Sequence, residues 1–182
     1  MPAWERGVRH GGLLNEKVMN KNLIDFKNIM DTYKIPFVLI FGSCLGMMRE
    51  FGKPWAHPAD TDMDVMCFEP DHRKMKPAVE ALKKAGFDVP DRNECPLRDH
   101  FVIRDGEKIE IWWFELIDDM YYYSPRVWYP KEFFSHLEEV KYKGKFYKVP
   151  SKPERFCEIT YGKNWQIPRI EASYILKKKE DK

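Results

Sequence analysis

The chain has 182 residues, is 43% hydrophobic and 15% aromatic, and carries a formal net charge of +2. Such a length and apolar content fit one folded domain over residues 1–182 and exclude a disordered chain. The near-balanced charge gives no reason to expect nucleic acid as a bulk electrostatic partner.

No apolar run approaches the roughly eighteen residues of a membrane helix, so no membrane span is expected. The N-terminus, Met1 to Arg6, has no apolar signal core. Cys44, Cys67, Cys95 and Cys157 form no Cys-x-x-Cys pair, which fits a reduced, cytoplasmic setting. Cys95 and His100 supply two possible zinc ligands, too few for a structural site.

In chain order, Met19, Leu23, Phe26, Met30 and Tyr33 recur at steps of three and four, and the spacing predicts a helix over 12–34, ended by Pro36. The uninterrupted apolar run 37–41 predicts a buried strand. Gly42-Ser43 is expected to turn the chain into a short helix over 44–51, and Gly52, Pro54 and Pro58 mark a loop over 52–59. A strand over 61–67 carries Asp62 and Asp64.

A helix follows within 71–85. Pro77 argues for a start near Lys76, and Gly86 is its stop. Residues 87–89 read as a short strand. Residues 100–104 and 108–114 form a hairpin across Asp105-Gly106, and a second hairpin joins 140–142 to 145–147 across Lys143-Gly144. Pro153 opens a helix over 153–161 that Gly162 closes. The core then runs from about 12 to 168, followed by a short charged tail that contains Lys177 to Lys179.

The chemistry concentrates in two places. In a strand, Asp62 and Asp64 point to one face, because side chains alternate with a period of two. Paired carboxylates repel unless a cation lies between them, and hard oxygen ligands suit Mg²⁺ or Mn²⁺. Gly42-Ser43, straight after a strand, offers backbone N–H groups to a phosphate. Arg49, six residues on, has the reach for a phosphate, or for a surface pair with Glu50. Glu110 sits between two isoleucines, where a charge is costly without a partner. An edge strand would let it face solvent instead, but the upstream motif favours a third metal ligand. Asp60 reads as an outer ligand or a loop acid. His57 is a loop histidine, exposed or near a ligand. The aromatics Tyr121 to Tyr129 could line a pocket or pack in the core. Phosphate cradle and metal clamp together point to phosphoryl or nucleotidyl transfer.

Phe41-Gly42-Ser43-Cys44-Leu45-Gly46-Met47-Met48-Arg49-Glu50-Phe51-Gly52, then Pro54-Trp55, then Asp60-Thr61-Asp62-Met63-Asp64-Val65, resembles the LicD and fukutin family. Glu110 matches its later strand acid, and Tyr161-Gly162-Lys163-Asn164-Trp165-Gln166-Ile167-Pro168 is similar to its closing segment. The longer loop between Trp55 and Asp60, Thr61 in place of an acid, and glutamate at 110 depart from the family pattern. The resemblance implies an α/β nucleotidyltransferase-like fold, a mixed central sheet flanked by helices. It implies Mg²⁺ (or Mn²⁺) held by Asp62, Asp64 and Glu110, with Gly42, Ser43 and Arg49 at the donor phosphates. The expected activity is transfer of a phospho-alcohol, phosphocholine first, from a CDP-linked donor of the CDP-choline or CDP-ribitol type to a glycan or other hydroxyl acceptor. The same residues also fit an NTP-dependent nucleotidyltransferase acting on a small molecule or protein, or an inactive nucleotide-binding module.

Overall fold

A computed structural model describes residues 13–49, 52–56, 60–90 and 100–168. His57, Cys95, Glu50 and the charged tail lie outside the described residues, as does the side chain of His100.

Helix α1 spans Glu16–Thr32, shorter at both ends than the apolar stripe suggested. Asn15 stops it at the front, its side chain accepting from the Val18 N–H; Lys34, with φ 55°, turns the chain away at the back. Strand β1 is only Phe37–Leu39. The chain enters helix α2, Phe41–Met48, through Phe41 at φ 42°. Gly42 and Ser43 therefore belong to the first turn of the helix rather than to a separate turn before it. A left-handed backbone at a bulky, buried residue is strained, and such strain gathers at sites the surrounding fold has reason to hold.

Strand β2 is Asp62–Phe68, followed by a 3₁₀ turn over Glu69–Lys74 and helix α3, Met75–Lys84. Gly86 ends α3 with φ 86°, as expected. Residues 87–89 give no strand, only a single bridge from Asp88 to Ile103. The hairpin β3 (His100–Arg104) and β4 (Glu107–Ile117) turns through Asp105 at φ 53° and Gly106 at φ 85°, the two positive angles that an Asp-Gly turn supplies. Strands β5 (Met120–Ser124) and β6 (Val127–Pro130) and the short helix α4 (Glu132–Ser135) are elements the sequence reading did not contain. Strands β7 (Glu138–Tyr142) and β8 (Lys145–Val149) form the second hairpin, and helix α5 spans Pro153–Tyr161 before Gly162 at φ 88°.

The strands form one mixed sheet in the order β6-β5-β4-β2-β1-β8-β7, with β3 on β4. Strand β2 runs parallel to β4 and antiparallel to β1, and β1 runs parallel to β8. Alternation divides the sheet into two faces. Phe37, Ile109, Ile111 and Trp113 lie on the face that α1 covers, where Phe26 meets Phe37 edge-on at 5.3 Å. Met66 and Phe114 lie on the face toward α2, α4 and α5, where Tyr129 packs on Phe156 at 4.7 Å. The α/β architecture with a mixed central sheet flanked by helices is the one expected.

Gly46 shows why α2 accepts the following loop. A Cβ there would lie 2.2 Å from the Trp55 carbonyl oxygen and 2.3 Å from that of Lys53, so the loop backbone crosses the helix only over a glycine.

Candidate functional site

The register of β2 on β4 places Asp62 beside Lys108 and Asp64 beside Glu110. All four share the α2 face of the sheet, with Trp112 two residues further along β4. The spacing of Asp62 and Asp64 fixes their common face, and the parallel pairing brings Glu110 level with Asp64.

Asp64 is the buried member, 5% exposed. One carboxylate oxygen accepts the Gly42 N–H at 3.1 Å, and the other accepts the indole N–H of Trp112 at 3.1 Å. The Asp64 N–H donates to the Ser43 hydroxyl at 2.8 Å, and the Ile40 N–H donates to the Asp64 carbonyl at 3.2 Å. The first turn of α2 is thus stitched to the start of β2 around one carboxylate. Gly42 is small for a reason: a Cβ there would stand 3.2 Å from Asp64 Oδ2. Burial, then the nearby charges of Asp62 and Glu110, push the Asp64 carboxyl well above the usual carboxylate range.

This geometry changes what Gly42 and Ser43 do. They were expected to cradle a phosphate directly. In the structure the Gly42 N–H and the Ser43 hydroxyl are engaged in aiming Asp64, and Ser43 is buried.

Lys108 is the residue that sequence reasoning missed. Its ammonium bridges Asp62, at 3.0 Å, and Glu110. The lysine side chain is 17% exposed and lies over the Phe101 ring at 6.0 Å. Burial pulls its pKa down, but the carboxylates of Glu110 and Asp62 outweigh burial and the net shift is upward. Strand alternation would have found it, since Lys108 stands two residues before Glu110.

Arg49 has other partners than a phosphate. Its Nε and Nη2 donate to the Trp165 carbonyl at 2.9 and 2.7 Å, and Nη1 donates to the Ala56 carbonyl at 3.3 Å. It ties the end of α2 to the loop after it and to the segment beyond α5. Asp60 secures the same loop by accepting the Ala56 N–H at 2.6 Å. Among the aromatics, Tyr123 meets Trp112 at 4.8 Å, while buried Tyr129 bonds Thr160 at 3.0 Å in the core.

Three carboxylates supply the hard oxygen donors that Mg²⁺ or Mn²⁺ takes, and a cation among them would relieve their mutual repulsion. The donor set fits such an ion in chemistry. It is not closed around one: among the described residues, no three His, Cys, Asp or Glu side chains stand ready to hold a metal. The Lys108 ammonium takes up part of that negative charge instead.

Comparison with known proteins agrees with this sheet and not with the family likeness. No family model matches the chain, and no curated protein matches it in sequence. Among solved structures, the chain is similar to a crystal structure of ANT(2″)-Ia in complex with adenylyl-2″-tobramycin. The TM-score is 0.50 at 14% identity, over 74% of this chain and 70% of that one. A solution structure of the antibiotic-resistance factor ANT(2″)-Ia gives a TM-score of 0.52 at 13% identity, over 75% of this chain and 66% of that one. These likenesses carry the nucleotidyltransferase fold. They overturn the LicD and fukutin assignment: the neighbours are aminoglycoside nucleotidyltransferases, and the motif segments that suggested the other family match no family model. The structure gives those segments a packing role, with Gly46 under the Trp55 loop and Arg49 on Trp165. No helix among the described residues is long and apolar enough to cross a membrane.

Proposed function

We propose that the chain is a Mg²⁺-dependent nucleotidyltransferase that moves a nucleoside monophosphate from an NTP to a hydroxyl of a small acceptor. The observation that carries this reading is the buried Asp64, fixed from both sides by Gly42 and Trp112 and crowded by Asp62 and Glu110 on a nucleotidyltransferase-type sheet. A carboxyl fixed this firmly beside two other acids is positioned to ligate a cation, which would favour its ionised form.

Asp62 and Asp64 would hold the ion, with Glu110 beside them. Mg²⁺ would offset the charge of the triphosphate and of the departing pyrophosphate. The N-terminal turn of α2 is used to hold Asp64 in place for that ion. Glu110, a partly exposed carboxylate, would accept the acceptor's hydroxyl proton. The ANT(2″)-Ia complex holds an adenylylated hydroxyl product, which supports an NTP donor and a hydroxyl acceptor here as well. Transfer of a phospho-alcohol from a CDP-linked donor rested on the family likeness and is set aside with it.

The test uses α-labelled ATP, CTP, GTP and UTP with Mg²⁺ and a panel of polyhydroxylated small molecules that includes tobramycin. Label on an acceptor, with pyrophosphate released in equal amount, is the expected result. Choline label passing from CDP-choline to an acceptor, with no transfer from any NTP, would overturn the reading.

A further inference from the structure

Lys108 is buried more deeply than a lysine on a sheet surface needs to be, and it spends its ammonium on the two outer carboxylates of the acid group. We infer that Lys108 is a resident counter-ion that competes with the divalent cation for Asp62 and Glu110 and is drawn off by the triphosphate, so that metal and nucleotide enter together. This rests on the acid group being the metal site proposed above.

Three features of the side chain point this way. First, the register sets Lys108 opposite Asp62, so it cannot leave the acid face without a change of rotamer or of strand pairing. Second, lysine is a point charge on a flexible stem with three donors, able to exchange one anion for another without moving the backbone; the fork of an arginine would not do so as readily. Third, the exposures fall from the rim inward. The side chains of Asp62 and Glu110 are 26% and 24% exposed and that of Lys108 is 17%, so the lysine, behind the two acids, still keeps contact with solvent through which an anion can reach it. Asp64, the innermost acid, is left to Gly42 and Trp112 and has no bond to Lys108 among those that define its carboxylate oxygens.

The electrostatic consequence is direct. A divalent cation that enters alone meets a positive charge already bound to two of its ligands, and like charges at this range oppose each other strongly where water is scarce. A triphosphate brings several negative charges that give the ammonium a new partner and leave Asp62 and Glu110 to the metal. Binding of metal and nucleotide is then mutually favourable, and by linkage each raises the affinity for the other by the same factor.

The experiment measures Mn²⁺ binding to the nucleotide-free full chain by electron paramagnetic resonance of the free ion. Lys108→Met should bind Mn²⁺ at least tenfold more tightly than the wild type. Lys108→Arg, which keeps the charge, should bind as weakly as the wild type. Lys108→Gln replaces the methionine variant if that one does not fold. In a second readout, the rise in melting temperature with a non-hydrolysable ATP analogue at saturating Mn²⁺ should shrink in the neutral variants. Unchanged or weaker Mn²⁺ binding in both neutral variants, with Asp64→Asn abolishing binding, overturns the role of Lys108 and leaves the metal site standing. Mn²⁺ binding absent from every chain, or indifferent to Asp64→Asn, overturns the metal site and this inference with it.

Discussion

The first two residues of β4 face opposite ways, and their surroundings make a controlled comparison. Glu107 lies on the α1 face with Arg104, its register partner; Lys108 lies on the α2 face with Asp62. On the α1 face the cation is held by several partners at once. Arg104, 7% exposed, donates to Asn22 at 2.7 Å, to the Ala85 carbonyl at 2.9 Å and to Asp25 at 2.7 Å, with its guanidinium 4.2 Å over the Phe87 ring. Asn22 returns a bond to the Arg104 carbonyl at 2.9 Å, and Glu107 accepts the Asn15 N–H at 2.8 Å, just before α1. One arginine, donating from all three of its nitrogens, locks the hairpin to α1 and to the end of α3. On the α2 face Lys108 bridges two carboxylates, Asp62 and Glu110, and the deepest acid, Asp64, is pushed out of its usual range. Two charged groups at the start of one strand thus sit in different surroundings. The group around Arg104 ties the hairpin to its helices. The acid group on the other face is where the proposed cation would bind.

The largest effects should separate the two faces by kind. Asp62→Asn and Asp64→Asn are each expected to lower nucleotidyl-transfer turnover by about two orders of magnitude or more, since each removes a charge-stabilising ligand, while the fold survives. Steady-state kinetics with a matched thermal melt checks this; near-normal turnover at saturating Mg²⁺ would break the comparison. On the other face, Arg104→Met should leave transfer chemistry intact in whatever protein remains folded but cost about 3 kcal/mol in urea unfolding, because Asp25 and Asn22 lose their partner. A cost below about 1 kcal/mol would show that the arginine is not the lock.

The next effect is in pH. Burial alone would raise the Asp25 carboxyl, but the bonds from Lys21 and Arg104 outweigh it and hold the pKa below its ordinary value. A depressed folded pKa means that the contribution to stability is present above the ordinary value, about 4, and is lost as pH falls through the folded value. Urea midpoints measured downward from neutral pH should fall on the acid side, and Asp25→Asn should flatten that fall. An unchanged slope would remove Asp25 from the lock. The smallest effect belongs to Lys21, which meets Asp25 at 3.0 Å from a side chain 68% exposed. Lys21→Ala should cost at most about 0.5 kcal/mol, as exposed pairs one helical turn apart do.

The sequence carried more of one face than of the other. Asp62, Asp64 and Glu110 were visible because period-two alternation is local and because charges inside apolar strands stand out. Both glycine hairpins were visible for a similar reason: Asp105-Gly106 and Lys143-Gly144 name their own turn. What stayed hidden depends on pairings between distant segments. Arg49 looks like a phosphate ligand until Trp165, 116 positions away, presents its carbonyl. Ser43 looks like a cradle until β1 and β2 pair and Asp64 arrives above it. Strands β5 and β6 went unread because Tyr121-Tyr122-Tyr123 has no alternation; the rings fall on both faces of a ribbon, with Tyr121 against Phe134 and Tyr122 against Trp128. The apparent family likeness failed for a related reason. Gly46, Arg49 and Trp165 mark how α2, its loop and the end of α5 pack, and packing of that kind names no substrate.

The central claim is that the acid face of β2 and β4 binds a triphosphate through a divalent cation. The most direct measurement is a thermal-shift titration of the wild type and Asp64→Asn with ATP, CTP, GTP and UTP, each with and without Mg²⁺. Ligand that binds the native state raises the melting temperature by mass action. The wild type should shift only when an NTP and Mg²⁺ are present together, and Asp64→Asn should not shift. No shift with any NTP, or an equal shift in Asp64→Asn, would contradict the account.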